Sequence, residues 1–171
     1  MKENNNTILN VHDLQISFQA YGGMVRAVRG VSFDLKRGET VAIVGESGSG
    51  KSVSVKAIMG ILPPNAIIEG GTIEYSGMDL TKVSEDDFHE IRGNRIGLIF
   101  QDPLSALNPI MKIGHQITEV LHLNKKMSRK EANEQALDLM RAVGIPDVKR
   151  RFNQYAFQFS GGMRQRIVIA I

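Results

Sequence analysis

The 171-residue chain has no cysteine and no tryptophan. Without cysteine, neither a disulfide framework nor a thiolate metal site can form, which agrees with a reducing compartment. Aromatic residues are 6% of the chain and are not interleaved with the basic ones. That argues against stacking on single-stranded nucleic acid, and no nucleic-acid partner is expected. No apolar run reaches the roughly 18 residues needed to cross a bilayer. The opening MKENNNTILN lacks the basic-then-apolar layout of a signal peptide, so a cytoplasmic location is expected. The length suits one domain with a real core and is short for two. Apolar content of 42% and charged content of 23% are ordinary for a globular protein.

Charge is unevenly spread. From Lys125 onward there are ten Lys/Arg against four Asp/Glu, whereas the whole chain has a net charge of only +3. Such a basic last third either faces an anionic partner or is a solvated helical face.

The first forty residues read as antiparallel strands. Leu14, Ile16 and Phe18 alternate with Gln15, Ser17 and Gln19; Val31, Phe33 and Leu35 repeat the pattern, with a turn at Tyr21-Gly22-Gly23. Thr40-Val41-Ala42-Ile43-Val44 is a β-branched run without polar interruption, as in a strand covered on both faces. A glycine-rich loop follows, then a helix with Val55, Ile58, Met59 and Leu62 on one face, ended by Pro63-Pro64. Residues 70–77 read as a glycine-bounded strand, Ser84 as the cap of a short helix, and residues 95–100 as a second buried strand. From Asp102 the period turns helical. Ile110, Ile113, Ile117, Val120 and Leu121 form one stripe. Ser128 and Glu131 open the next helix as a capping box, and Gly144 and Pro146 close it.

Gly45-Glu46-Ser47-Gly48-Ser49-Gly50-Lys51-Ser52 satisfies G-x-x-x-x-G-K-[ST]. A polyphosphate must be ringed by inward-pointing backbone N–H groups, so side chains have to be absent where the chain bends around it. The helix beginning near Lys51 adds its positive end. Lys51 would reach the β- and γ-phosphates, and the Ser52 hydroxyl would ligate Mg²⁺. Because the loop follows a strand-like run and opens a helix, a nucleoside-triphosphate site is expected.

Two later motifs stand in order behind it. Ile99-Phe100-Gln101-Asp102-Pro103 resembles the Q-loop of ABC transporter ATP-binding subunits, and Ser160-Gly161-Gly162 resembles the core of their signature motif. The resemblance covers residues 10–171. The stretches QDPLSALNP (from Gln101) and FSGGMRQR (from Phe159) are similar to the oligopeptide/dipeptide (and nickel) importer branch. One departure is that Tyr155 is followed by Ala156-Phe157, where that branch usually has proline-histidine. Taken singly, Gln101 also suits the end of a strand before an Asp-Pro turn, and Ser160 an ordinary capped helix with Met163, Ile167 and Ile171 inward and Arg164 and Arg166 in water.

The resemblance implies an α/β fold: a P-loop NTPase core with an N-terminal antiparallel β subdomain and a helical subdomain. Residues 1–101 would hold the β and P-loop parts, and 102–171 the helical part ending in the signature helix. It implies ATP and Mg²⁺, with Lys51 and Gln101 at the reacting phosphate and Ser52 and Gln101 on the metal. It also implies Tyr21 (rather than Phe18) against adenine, and Ser160, Gly161 and Gly162 closing on ATP held by a second subunit. The implied activity is an ATPase powering peptide import at the cytoplasmic face of the membrane. Its partners would be membrane subunits, a second ATP-binding subunit and, indirectly, a peptide receptor. In that family the aspartate, glutamate and histidine completing the site follow the signature helix, so the expectation is the N-terminal part of an ATPase, weakly active or inactive alone. The alternatives are a soluble ABC ATPase of DNA repair or translation, and a non-catalytic nucleotide-binding module.

Overall fold

The computed structural model describes residues 6–100, 102, 106–125 and 127–171, the side chains of 124 and 125 excepted. The chain divides into two compact units, Met1–Gly97 and Leu98–Ile171.

The first unit is built on a four-stranded antiparallel sheet of β1 (Thr7–Ala20), β2 (Gly23–Lys36), β3 (Ala66–Tyr75) and β4 (Met78–Asp79), in the order β2-β1-β3-β4. β1 and β2 form a hairpin whose two-residue connection is Tyr21-Gly22, with Ala20 opposite Gly23. Leu9, Val11, Leu14 and Ile16 of β1 are buried. Val11 and Leu14 are three apart, so strict alternation would put them on opposite faces. A bulge at Asp13 (φ 46°) corrects the phase. It is held by the Asp13 N–H donating to Ser32 Oγ at 2.8 Å and by Gln15 Nε2 donating to Asp13 Oδ2 at 2.9 Å.

Another register shift follows Ile16. Ser17 is therefore fully buried, donating to Glu69 Oε2 at 2.7 Å, while Phe18 is only half-buried. The simple alternation expected there fails for that reason.

Helices α1 (Lys51–Ile58) and α2 (Glu85–Ile91) supply Ala57, Ile58, Phe88 and Ile91 to a core shared with Leu9, Val11, Leu14, Ile16 and Ile73. Each fully buried aliphatic side chain contributes about 1.5–3 kcal/mol. α2 starts at Ser84, whose Oγ accepts from the Asp87 N–H at 3.2 Å. α1 stops before the proline pair expected to end it. The Gly60 N–H donates to the Ala57 carbonyl and the Ile61 N–H to the Lys56 carbonyl, both at 3.0 Å, closing the helix as a Schellman motif with Gly60 at φ 61°. β3 begins before Gly70-Gly71 and runs through them.

The two expected buried strands are the main correction. Residues 40–44 join no ladder, and Val41, Ile43 and Val44 are 39%, 40% and 89% exposed. In the second run only Ile96 makes a bridge, to Arg92, and Ile99 and Phe100 are 54% and 43% exposed. A hairpin strand finds its partner next door, whereas a strand of a parallel sheet takes its ladder and both covering layers from remote segments. Among the described residues neither run has such a neighbour, and β-branched composition alone does not make a strand.

The second unit contains α3 (Ile113–Lys125), α4 (Arg129–Ala142), a single turn α5 (Val148–Arg151), a 3₁₀ turn (Ala156–Gln158) and α6 (Gly161–Ala170). Its core gathers Ile113, Ile117 and Leu121 of α3, Ala132, Ala136 and Met140 of α4, and Ile167 of α6. Ile110 lies before α3 and is 85% exposed, so the apolar stripe begins at Ile113. The capping box forms as expected: the Glu131 N–H donates to Ser128 Oγ at 3.3 Å, and the Ser128 N–H donates to Glu131 Oε2 at 3.0 Å. Hydrogen bonds from the Ser128 hydroxyl and N–H hold the Glu131 carboxyl below its ordinary range. The buried Gln116 amide accepts from the Asn108 N–H at 2.9 Å and donates to the Asn108 and Met111 carbonyls, which pins the entry to α3.

Candidate functional site

The glycine loop leads from the exposed 40–44 run into α1, and its last residue, Gly50, is buried as the helix N-cap. Gly50 has φ 91°, and a Cβ there would stand 2.7 Å from the Ala27 carbonyl oxygen and 3.1 Å from Val28 Cγ2 of β2. The helix start is thus seated directly on the backbone of β2. Only a residue without a side chain permits both the torsion and the contact. Nothing in the local sequence pattern points to Ala27 and Val28 as this seat.

No side chain caps α1, and no acidic residue lies in its first turn. The first-turn N–H groups have no intrahelical acceptor by geometry, so they and the helix dipole are directed at whatever lies in the loop. The Lys51 ammonium is turned back over the loop. It donates to the Gly45 carbonyl at 2.8 Å, to the Glu46 carbonyl, and to Ser49 Oγ at 3.3 Å. Those partners are neutral oxygens, and no carboxylate pairs with the ammonium among the described residues. The Ser49 N–H donates to the Glu46 carbonyl at 3.2 Å, keeping the bend closed. Gly45, Glu46, Ser47, Gly48 and Ser49 are exposed, as is Ser52. A cation, an uncapped helix start and main-chain donors without a competing carboxylate fit a polyphosphate.

Tyr21 projects from the tip of the β1–β2 hairpin, 113% exposed, with its ring open to stacking. Phe18 is half-buried in β1. Gln101 lies outside the described residues. Among those described, no three His, Asp or Glu side chains gather into a metal-binding cluster, and Ser52 is the remaining candidate ligand for Mg²⁺.

In the second unit, Ser160 caps α6, its Oγ accepting from the Met163 N–H at 3.4 Å. Gly161 and Gly162 are exposed with open space around each Cα, and no acidic residue lies in the first turn. Arg164 and Arg166 are not free in water. Arg164 Nε donates to the Ala156 carbonyl at 2.8 Å, and Arg166 Nη1 donates to the Gly144 carbonyl at 2.6 Å. The two guanidiniums tie the glycine-headed helix to the turn before it and to the loop that ends α4. Ile167 is fully buried, but Ile171 is 41% exposed. The hydroxyl cap was legible from the serine; the arginine anchors were not, because their acceptors are carbonyls brought near by folding.

In chain order, then, an uncapped helix behind a lysine-bearing glycine loop is followed by a serine-capped, glycine-headed helix. The family model for ABC transporter matches residues 28–171, and the chain belongs to that family. It is 53% identical over 165 residues to the oligopeptide transport ATP-binding protein OppD of Bacillus subtilis (strain 168), covering 96% of this chain and 46% of that protein. It is 54% identical to the dipeptide transport ATP-binding protein DppD of the same organism, covering 96% and 49%. The chain thus spans about half the length of the curated relatives it matches. A solved ATP-binding cassette, described as dimeric in a post-hydrolysis state bound to ADP and Pi, superposes with a TM-score of 0.82 at 25% identity, covering 95% of this chain and 67% of that one. The α/β cassette fold is therefore established, with its antiparallel sheet and helices as described. No helix among the described residues is long and apolar enough to cross a membrane.

Proposed function

We propose that this chain is the nucleotide-binding part of an ATPase subunit that drives peptide import. ATP is the substrate. Its triphosphate lies in the bend of residues 45–52, ringed by main-chain N–H groups and set against the start of α1. The Lys51 ammonium then exchanges the Gly45 and Glu46 carbonyls for β- and γ-phosphate oxygens, trading neutral acceptors for charged ones. Adenine stacks on Tyr21, which gives purine preference without base-edge readout. Ser52 Oγ, with Gln101, would hold Mg²⁺, which when bound would supply positive charge against the phosphates.

Ser160, Gly161 and Gly162 serve a second ATP-binding subunit: the start of α6 meets the γ-phosphate of the nucleotide held by its neighbour, and ATP-driven closure of the pair is transmitted to membrane subunits. The dimeric state of the solved cassette bound to ADP and Pi supports this reading. The groove of about 520 Å³ along α3, lined by Met111, His115, Glu119, His122, Leu123 and Phe152, suits docking of the membrane subunit at the cytoplasmic face. A separate receptor would deliver the peptide.

The observation that carries the reading is Lys51 poised over an uncapped helix start with only neutral partners. Calorimetric titration with Mg-ATP tests it: binding is expected, and Lys51→Ala is expected to remove most of it. Unchanged binding by the variant would reject the site.

A further inference from the structure

Both ends of α1 are gripped, and only one grip belongs to the glycine loop. At the far end, the Schellman closure satisfies the Lys56 and Ala57 carbonyls and leaves those of Met59 and Gly60. Arg92, the residue that ends α2, takes both: Nε donates to the Met59 carbonyl at 2.8 Å and Nη2 to the Gly60 carbonyl at 2.9 Å. The guanidinium is itself fixed on two other sides. It is ion-paired with Glu85 at the start of α2, and it lies 4.6 Å over the Phe88 ring. The Glu85 carboxyl is held below its ordinary range by that arginine.

Gly60 completes the joint. A Cβ there would stand 2.6 Å from the Phe88 ring and 2.9 Å from Arg92 Nη2, so the turn of α1 fits against α2 only as glycine. Phe88 and Ile91 are 5% and 3% exposed, which anchors α2 in the core of the unit. The fork of an arginine matches this pair of carbonyls in a way that one ammonium cannot.

We propose that Arg92 is a positioning residue for the phosphate-binding loop: by holding the Met59 and Gly60 carbonyls it fixes the far end of α1 and so sets where the Gly50, Lys51 and Ser52 amides point. This rests on the nucleotide-site reading above. α1 has eight residues and is therefore a rod of about 12 Å. Its near end bears on the Ala27 carbonyl through Gly50, so a tilt at Gly60 is carried to the loop instead of being absorbed by a long or bent helix. The cation at its C-terminal end also complements the dipole whose positive end faces the phosphates.

The test compares Arg92→Ala, Arg92→Lys and Ser84→Ala in the 171-residue chain, with Lys51→Ala as reference, all well below their melting temperatures. Ser84→Ala weakens α2 at its cap without touching α1, so it reports what destabilising α2 alone does. Arg92→Ala is expected to weaken Mg-ATP binding about tenfold, the lower end of what loss of a supporting shell does to a site. Arg92→Lys should fall between it and the parent, and Ser84→Ala should bind as the parent does. Without nucleotide, the ¹H–¹⁵N amide signals of Gly48, Gly50 and Lys51 should move in both Arg92 variants and stay in place in Ser84→Ala. Amide shifts confined to the Arg92 joint, with Mg-ATP affinity unchanged, would overturn the proposal. If Arg92→Ala does not fold, the same readings on Arg92→Lys decide. Should Lys51→Ala leave binding intact, the nucleotide reading fails, while the loop signals still report whether Arg92 sets the amides.

Discussion

Gly48 and Gly50 lie two residues apart in the same loop, both with left-handed backbone, at φ 82° and 91°. They are expected to respond differently to alanine. Placing an L-residue in such a conformation costs about 1 kcal/mol or somewhat more at either position. At Gly48 a Cβ meets nothing within 4 Å, so that cost is the whole of it. At Gly50 the Cβ stands 2.7 Å from the Ala27 carbonyl oxygen and 3.1 Å from Val28 Cγ2. The first contact is the backbone of β2 and cannot swing aside, so the start of α1 must lift from that strand. That adds about 1–3 kcal/mol, as overpacking does elsewhere. The entropy alanine removes from the unfolded chain, about 0.4–1 kcal/mol, applies to both and cancels in the comparison.

Nucleotide-free urea unfolding reads the difference. With a slope of about 1–3 kcal/mol per molar, Gly50→Ala should unfold at least several tenths of a molar below Gly48→Ala. Equal midpoints would show that the P-loop helix does not bear on β2 as described.

Two further outcomes follow from side-chain hydrogen bonds. Ser128→Ala removes the hydroxyl half of the α4 capping box, leaving the residue-128 N–H on the Glu131 carboxylate, and should cost about 1 kcal/mol by the same unfolding assay. It should also let the Glu131 carboxyl return part of the way upward, since the Ser128 hydroxyl, the larger of the two influences that hold it down, is lost while the N–H remains. Asp79 is lowered from 3.8 to about 2, first by Lys82 and then by Thr81. A carboxyl depressed in the folded state gives stability that is present above pH 3.8 and lost as the pH falls toward about 2. An NMR titration should place its midpoint near that lower value, and Lys82→Ala should raise it; a midpoint that stays put would refute the ion pair.

The parts of the molecule legible in the sequence are those whose cause is local. The glycine loop demands left-handed torsions and missing side chains within eight residues, so Gly50 and Lys51 announce themselves. So do the Ser84 and Ser128 caps and the Tyr21-Gly22 hairpin connection, each decided within one turn of chain. What was not legible depends on distant partners. Residues 40–44 carry the composition of a buried strand, but composition cannot supply a neighbouring strand. The bulge at Asp13 changes which residues of β1 face inward, and its anchor, Ser32, is nineteen positions away. Arg92, Arg164 and Arg166 look like surface cations until folding brings main-chain carbonyls within reach.

The proposed function requires that the loop before α1 be a phosphate cage closed by Lys51. Calorimetric titration of the folded chain with Mg-ATP, beside Lys51→Ala, asks this most directly. Losing one charged donor to phosphate is worth about 1.5–3 kcal/mol. The predicted result is therefore saturable binding by the parent and affinity weakened roughly ten- to a hundredfold in the variant. No heat of binding in the parent, or equal affinity in the two, would contradict it.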